Sequence, residues 1–161
     1  MSSPLKENWV IIDANNFIHQ HRELSQLARL DFERARHDLV RRLTELAGVL
    51  ARRITVVFDG RAGARVTALE ATAVEVIFSP SHLTADSVIE RLVHEAPEPA
   101  HVTVVSSDRM ERDTVEAAGV QTISCRNFTE LMQAERARLD HLLRPQRRKP
   151  AGTKLGEFFP G

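Results

Sequence analysis

The chain has 161 residues, of which 42% are hydrophobic and 27% charged, a composition typical of one globular domain with short extensions. Its 22 basic and 22 acidic residues cancel, which excludes the strongly basic electrostatics of a histone-like or membrane-surface protein. The single cysteine, Cys125, excludes an intramolecular disulfide, and no apolar run approaches the ~20 residues of a membrane helix, so we expect a cytoplasmic protein without a membrane partner.

Five short segments rich in β-branched residues are predicted to form strands. In chain order they are residues 9–12, 54–58, 74–78, 102–105 and 120–124. The first, second and fourth are almost continuously apolar, which is typical of strands that are buried on both faces of a parallel sheet.

Amphipathic patterns between these segments predict helices. Leucines recur at helical spacing between residues 39 and 50, before the second strand. The other helices are predicted over residues 85–96, over residues 108–118, and from residue 128 to just before Pro145. Residues 60–72 show no clear helix and are predicted to form a mobile loop. The alternation of strands and helices predicts an α/β fold with a mostly parallel central sheet.

Charge is distributed unevenly along the chain. Residues 140–161 contain five basic and two acidic residues, a net charge of +3, so residues 1–139 carry a net charge of −3. Prolines and glycines are mixed with these bases. We therefore predict one folded domain over residues 1–141 and a basic, flexible tail over residues 142–161.

Aspartates follow four of the predicted strands. Asp13 and Asp59 come directly after the first and second strands, Asp86 opens the helix after the third, and Asp108 follows the fourth. Because the carboxyl ends of parallel strands meet at one edge of a sheet, we expect these carboxylates to converge there. Hard divalent cations prefer oxygen ligands, and such a cation can promote hydrolysis of a phosphodiester. The pattern therefore predicts a metal-dependent hydrolytic site.

Two of these aspartates also have a structural explanation. Asp108 and Glu111 match a helix-capping pattern, and Asp86 lies in the first turn of a helix after Thr84, where acidic residues are favoured in any case. Asp13 and Asp59 end apolar strands, and no strong helix start follows either of them directly. The convergence of all four at one edge favours the functional interpretation.

Four segments resemble motifs of the YacP-like NYN domain family, which belongs to the PIN-like ribonucleases. Residues 13–18 resemble its opening D-x-x-N motif, and residues 56–59 resemble its second strand. Residues 84–90 resemble its "TAD…IE" helix start, and residues 102–108 resemble the "SSD" ending of its fourth strand. The matches occur in family order and span residues 9–128.

This resemblance implies a PIN-like, Rossmann-like three-layer sandwich and a metal-dependent endoribonuclease that uses Mg²⁺ or Mn²⁺. Asp13, Asp86 and Asp108 would be metal ligands, Asp59 a further acidic member of the site, and Asn16 would orient a ligand or water near Asp13. RNA would be the substrate. Some bacterial members act on RNA in the context of translation, which makes the ribosome a candidate partner.

Basic residues near these motifs are candidate RNA contacts. Arg61 and Arg65 follow Asp59 and are predicted to contact phosphates, although a solvated loop explains them equally well. In the tail, Arg147, Arg148 and Lys149 are predicted to add salt-dependent affinity for RNA.

The same residues bear on other function classes. The first predicted strand is not followed by a glycine-rich turn, and no P-loop occurs, so dinucleotide and P-loop nucleotide binding are excluded. The remaining alternative is a non-catalytic RNA- or ribosome-binding module on the same fold. Affinity for Mn²⁺ at the aspartates separates this module from the nuclease.

Overall fold

Parallel strands form the centre of the structure, a computed structural model that describes residues 2–60 and 73–143. The strands are β1 (Trp9–Asp13), β2 (Arg53–Phe58), β3 (Glu75–Phe78), β4 (Val102–Val105) and β5 (Gln121–Ile123). The helices are α1 (Ala14–Gln20), α2 (Arg22–Leu30), α3 (Phe32–Leu50), α4 (Ala85–Glu95), α5 (Arg109–Glu116) and α6 (Cys125–Leu142).

The sheet has the order β3-β2-β1-β4-β5, and each neighbouring pair is parallel. Asp13 at the end of β1 lies in register with Val57 of β2, and Ile12 lies in register with Val105 of β4. The chain runs from β1 to β2 on one side, and β4 lies on the other side. This reversal of strand order places a crevice at the carboxyl ends of β1 and β4, where open α/β sheets bind ligands.

Helices cover both faces of the sheet. One core combines alternate residues of β1, such as Val10 and Ile12, with side chains from α1, α2, α3 and α6. The other core combines Trp9 and Ile11 with side chains from α4 and α5. Burial on both faces explains why β1 is continuously apolar. The predicted α/β three-layer architecture and the five predicted strands are confirmed.

Two predictions about helix starts were wrong. A helix does follow Asp13 directly: α1 begins at Ala14 and buries Phe17 and Ile18, but its polar residues hide the short apolar stripe in the sequence. The last helix begins at Cys125 rather than at residue 128, because the Ser124 hydroxyl caps it by accepting a hydrogen bond from the Asn127 amide at 3.0 Å.

Several predictions lie outside the described residues. They are the loop after Gly60, the phosphate contacts of Arg61 and Arg65, and the basic tail with Arg147, Arg148 and Lys149. All of these stay predictions, as does the domain boundary at residue 141. Across residues 2–60 and 73–143, no helix combines the length and the hydropathy that a bilayer crossing needs.

Candidate metal centre

Three carboxylates meet at the carboxyl edge of the sheet. Asp13, Asp86 and Glu111 each present an oxygen, and these oxygens all lie within 4.8 Å of one another. They come from the end of β1 and from the first turns of α4 and α5. Asp13 and Glu111 are 5% and 3% exposed, whereas Asp86 is half-buried. The cluster therefore has two buried walls and one side open to solvent.

A close approach between Gly60 and Ser79 positions Asp86. The Gly60 amide donates to the Ser79 hydroxyl at 2.9 Å, and the hydroxyl donates to the Leu83 carbonyl at 3.1 Å. A Cβ atom at residue 60 would lie 1.7 Å from the Ser79 carbonyl oxygen, so only glycine fits there. Thr84 then caps α4 by accepting from the Ser87 amide at 3.1 Å. These contacts bring the first turn of α4, with Asp86, to the site.

Glu111 is the member of the cluster that the sequence patterns missed. The sequence suggested a capping role, but the Asp108 carboxylate caps α5 alone, accepting from the amides of Met110 at 2.9 Å and Glu111 at 3.3 Å. The Glu111 carboxylate accepts instead from the Ser106 hydroxyl at 2.7 Å. Glu111 and Val115 are the buried residues of α5 and lie four positions apart. The sequence signal that could have identified Glu111 as a site residue is its position on the buried face of a helix, where an unpaired glutamate is rare.

Mutual proximity and burial perturb these acids. Burial, followed by a hydrogen bond with Asp13, raises the pKa of Glu111 to about 9. Burial, followed by the charges of Asp13 and Asp108, raises the pKa of Asp86 to about 6. Burial also raises the pKa of Asp13, and the hydrogen bond with Glu111 partly offsets it. The cluster resists holding three negative charges unless a cation compensates them.

The donor set fits a hard divalent cation. When both carboxylates are ionised, the buried Glu111 Oε2 atom has no hydrogen-bond donor among the described residues, because the neighbouring Asp13 carboxylate offers only acceptors. Such an atom is satisfied either by a proton shared toward Asp13 or by a bound cation. Carboxylate oxygens are the ligands that Mg²⁺ and similar ions take in proteins. Asp13, Asp86 and Glu111 could together hold such an ion.

Asn16 ties three segments together behind the cluster. Its Oδ1 atom accepts from the Ser107 amide at 2.8 Å and from the Cys125 thiol at 3.2 Å. It therefore links the start of α1 to the β4–α5 connection and to the start of α6. The amide oxygen is engaged by protein groups, so the predicted role of Asn16 toward a ligand or water rests on its other amide atom.

The remaining predicted site residues lie around the group of three. Asp108 is exposed, and its charge contributes to the raised pKa of both Asp13 and Asp86. Asp59 is half-buried at the end of β2, and its backbone amide donates to Asn15 Oδ1 at 3.4 Å. The structure thus brings Asp13 and Asp86 together as expected and adds Glu111, while Asp59 and Asp108 lie outside this closest group.

The strand order and the acids at the carboxyl edge of the parallel sheet agree with a PIN-like α/β fold. The profile of the YacP-like NYN domain matches residues 10–157, and the chain belongs to that family. The match extends beyond the predicted domain boundary at residue 141.

Solved structures agree with this assignment. The chain is similar to Rae1 (YacP) from Bacillus subtilis, with 26% identity, a TM-score of 0.76, and coverage of 85% of this chain and 80% of that one. For a tryptophan-to-leucine mutant of the same protein, the identity is 27%, the TM-score 0.70, and the coverage 85% and 82%. No curated protein matches the chain significantly.

Proposed function

We propose that the protein is a metal-dependent endoribonuclease that hydrolyses RNA phosphodiester bonds with Mg²⁺ or Mn²⁺. The observation that carries this proposal is the cluster of Asp13, Asp86 and Glu111 at the carboxyl edge of a PIN-like nuclease fold. The choice of RNA as substrate follows the family to which the chain belongs. The ribosome as the setting of cleavage, and the cytoplasm as location, follow only from the sequence resemblance.

The chain's own residues have separate tasks in this mechanism. Asp13, Asp86 and Glu111 would hold the cation, and the Ser106 hydroxyl orients the Glu111 carboxylate at 2.7 Å. Asp108 adds a negative charge at the solvent-exposed side of the site. A bound divalent cation supplies Lewis-acid polarisation of the phosphate and a lowered pKa for water. Because the pKa of Glu111 is raised to about 9, binding of a cation there would displace a proton near neutral pH.

The open side of the cluster suits a polymer substrate. Asp86 is half-buried and Asp108 is exposed, so a phosphodiester can approach from solvent without entering a closed cavity. An internal bond of an RNA chain has access to such an edge as readily as a terminal bond does. This accessibility supports an endonucleolytic mode.

Cleavage of a mixed pool of single-stranded and structured RNAs tests the proposal. The wild-type chain should cut with Mn²⁺ or Mg²⁺ and not with EDTA, and Asp86→Asn should lose cleavage because it removes a ligand charge at nearly constant volume. Asp113→Asn is the matched control, since Asp113 is exposed on α5 outside the cluster. Cleavage by Asp86→Asn at the wild-type rate would contradict the mechanism. Metal-independent RNA binding without cleavage would favour the non-catalytic module.

A further inference from the structure

The first turns of α5 and α6 lie side by side next to the acid cluster. Ile123 of β5 is in register with Val105 of β4, and the Ser106 amide donates to the Ile123 carbonyl at 3.1 Å. The Cys125 amide donates to the Ser107 hydroxyl at 3.0 Å, which joins the start of α6 to the β4–α5 connection. The exposed residues that directly follow these contacts, Arg109, Met110 and Arg126, are therefore close to one another in the fold.

The two arginines of this group are available to a ligand. Arg126 follows Cys125, is 87% exposed, and forms a 3.7 Å ion pair with the exposed Glu130. An exposed pair of that length contributes little and is easily exchanged for another anion. Arg109 directly follows Asp108, is exposed, and forms no ion pair with any acidic residue of the described ranges.

Three arginines of α3 are engaged differently. On α3, Arg36, Arg41 and Arg42 all form ion pairs with acidic side chains at 3.0 Å or less. In those pairs the guanidinium groups are occupied by acidic side chains of the same chain. Arg109 and Arg126 are thus cations beside an acidic site that no close internal partner holds. Guanidinium groups in this state are suited to the phosphates of a nucleic acid strand.

An exposed apolar side chain belongs to the same group. Met110, in the first turn of α5, is 79% exposed. The aromatic residues Phe17 and Phe58 near the carboxyl edge are fully buried, and the chain has no tyrosine. A polarisable thioether makes favourable contacts with aromatic rings, and unstacked bases of single-stranded RNA offer such rings. In a duplex the base faces are stacked on one another and cannot offer them.

We infer that single-stranded RNA leaves the acid cluster across a rim formed by Arg109, Met110 and Arg126. The two arginines contact phosphates on one side of the scissile bond, and Met110 packs against a base. This inference rests on the proposed function and names its substrate class and the path of the strand.

Binding of a short fluorescent single-stranded RNA in EDTA, measured by anisotropy over a salt series, tests the arginine contacts. The double variant Arg109→Gln/Arg126→Gln should reduce the slope of log K against log salt by ~1.4, since each lost phosphate contact on a single strand removes about 0.7. The control Arg29→Gln/Arg91→Gln removes the same charge from exposed positions on α2 and α4 and should leave the slope unchanged. Equal slopes for the two double variants would overturn the inference.

Met110→Ala tests the base contact separately. Affinity for the single strand should fall about fivefold, the scale of one sulfur–aromatic contact, while the salt slope stays unchanged. Affinity for a duplex of the same sequence should not change. Equal losses on both RNAs, or no loss on the single strand, would contradict the base contact.

The outcomes separate this inference from the proposed function. Metal-dependent cleavage by the wild-type chain combined with equal salt slopes would refute the RNA path across Arg109, Met110 and Arg126 and would support the nuclease. Slopes that depend on Arg109 and Arg126, without cleavage in any metal, would refute the nuclease and would support these residues as an RNA contact. A wild-type chain that neither binds nor cleaves RNA would overturn both.

Discussion

Glu111 has two neighbours that decide its chemistry, the Ser106 hydroxyl and the Asp13 carboxylate. The hydroxyl satisfies one of its oxygens at 2.7 Å, and the other oxygen is buried and has no donor among the described residues when both carboxylates are ionised. A cation bound at that oxygen would satisfy the acceptor and offset the repulsion with Asp13 after the proton has left. Glu111 therefore adds electrostatic repulsion to the ionised cluster without metal, and it supplies a ligand oxygen when a cation is bound.

Protonation of the cluster predicts how stability depends on pH. The pKa of Asp86 rises from 3.8 to about 6, and that of Glu111 from 4.5 to about 9, with burial as the leading cause in both. At a pH between the ordinary and the raised pKa of each group, the folded chain holds a proton that the unfolded chain has released. The free energy of unfolding in EDTA should therefore fall as pH rises through this range.

Thermal unfolding in EDTA and in Mn²⁺ measures this effect. A range of about pH 5 to 9 covers the raised pKa values of Asp86 and Glu111. We expect the melting temperature in EDTA to fall toward alkaline pH, and the increase caused by Mn²⁺ to grow, because binding releases protons. Glu111→Gln should flatten the alkaline part of the decline. A melting temperature in EDTA that rises with pH, or an unchanged decline in Glu111→Gln, would contradict the assignment of the high pKa to Glu111.

At the scale of elements, the carboxyl ends of β2 and β3 are joined by the contact between Gly60 and Ser79. The Ser79 amide also donates to the Phe58 carbonyl at 2.9 Å, so Ser79 connects the end of β2 to the segment that precedes α4. Any displacement of Ser79 is therefore transmitted to the first turn of α4. The position of Asp86 depends on a glycine that lies 26 residues earlier in the chain.

Gly60→Ala tests this coupling. The new Cβ atom would meet the Ser79 carbonyl oxygen at 1.7 Å, which forces the two segments apart. We expect the free energy of unfolding to fall by about 1–3 kcal/mol and the affinity for Mn²⁺ to fall with it. Denaturant unfolding and metal titration measure the two effects.

Gly48→Ala is the matched control for this substitution. Gly48 lies within α3, and a Cβ atom there has no neighbour within 4 Å. Alanine in a helix is favoured over glycine by about 0.5–1 kcal/mol, so stability should rise while Mn²⁺ affinity stays unchanged. Similar losses in both variants would show that the Gly60–Ser79 contact does not position Asp86.

Sequence patterns predicted elements well where one physical effect dominates. The five strands are short apolar runs, and α3 carries a long leucine stripe, so periodicity alone identifies them. Helix α1 was missed because it has only seven residues and its buried side chains are interrupted by polar ones. The start of α6 was placed late because its first turn is identified by the Ser124 cap rather than by apolar spacing.

At the scale of the whole molecule, the strand order creates the site. Asp13, Asp86 and Glu111 are far apart in the chain, and the parallel sheet brings their elements to one edge. That edge and the placement of Asp13 and Asp86 followed from the sequence, because parallel strands share a carboxyl end. The third buried acid did not follow, since its role depends on which face of α5 packs against the sheet.

The two faces of the molecule have different roles in this arrangement. One face carries the larger core with α1, α2, α3 and α6, which supports the sheet. The other face carries α4 and α5, whose first turns supply Asp86 and Glu111. The site thus depends on the correct packing of the α4–α5 layer as much as on the strands. Metal binding and folding of this layer should be coupled.

Titration of the metal-free chain with Mn²⁺ by calorimetry is the most direct test of the metal centre. The wild-type chain should bind Mn²⁺, and Glu111→Gln should bind at least about tenfold more weakly, because it removes a ligand charge from the cluster. Glu95→Gln, at an exposed position on α4, should bind as the wild type does. Wild-type affinity in Glu111→Gln, or no binding by the wild-type chain, would contradict the assignment of Asp13, Asp86 and Glu111 as the metal centre.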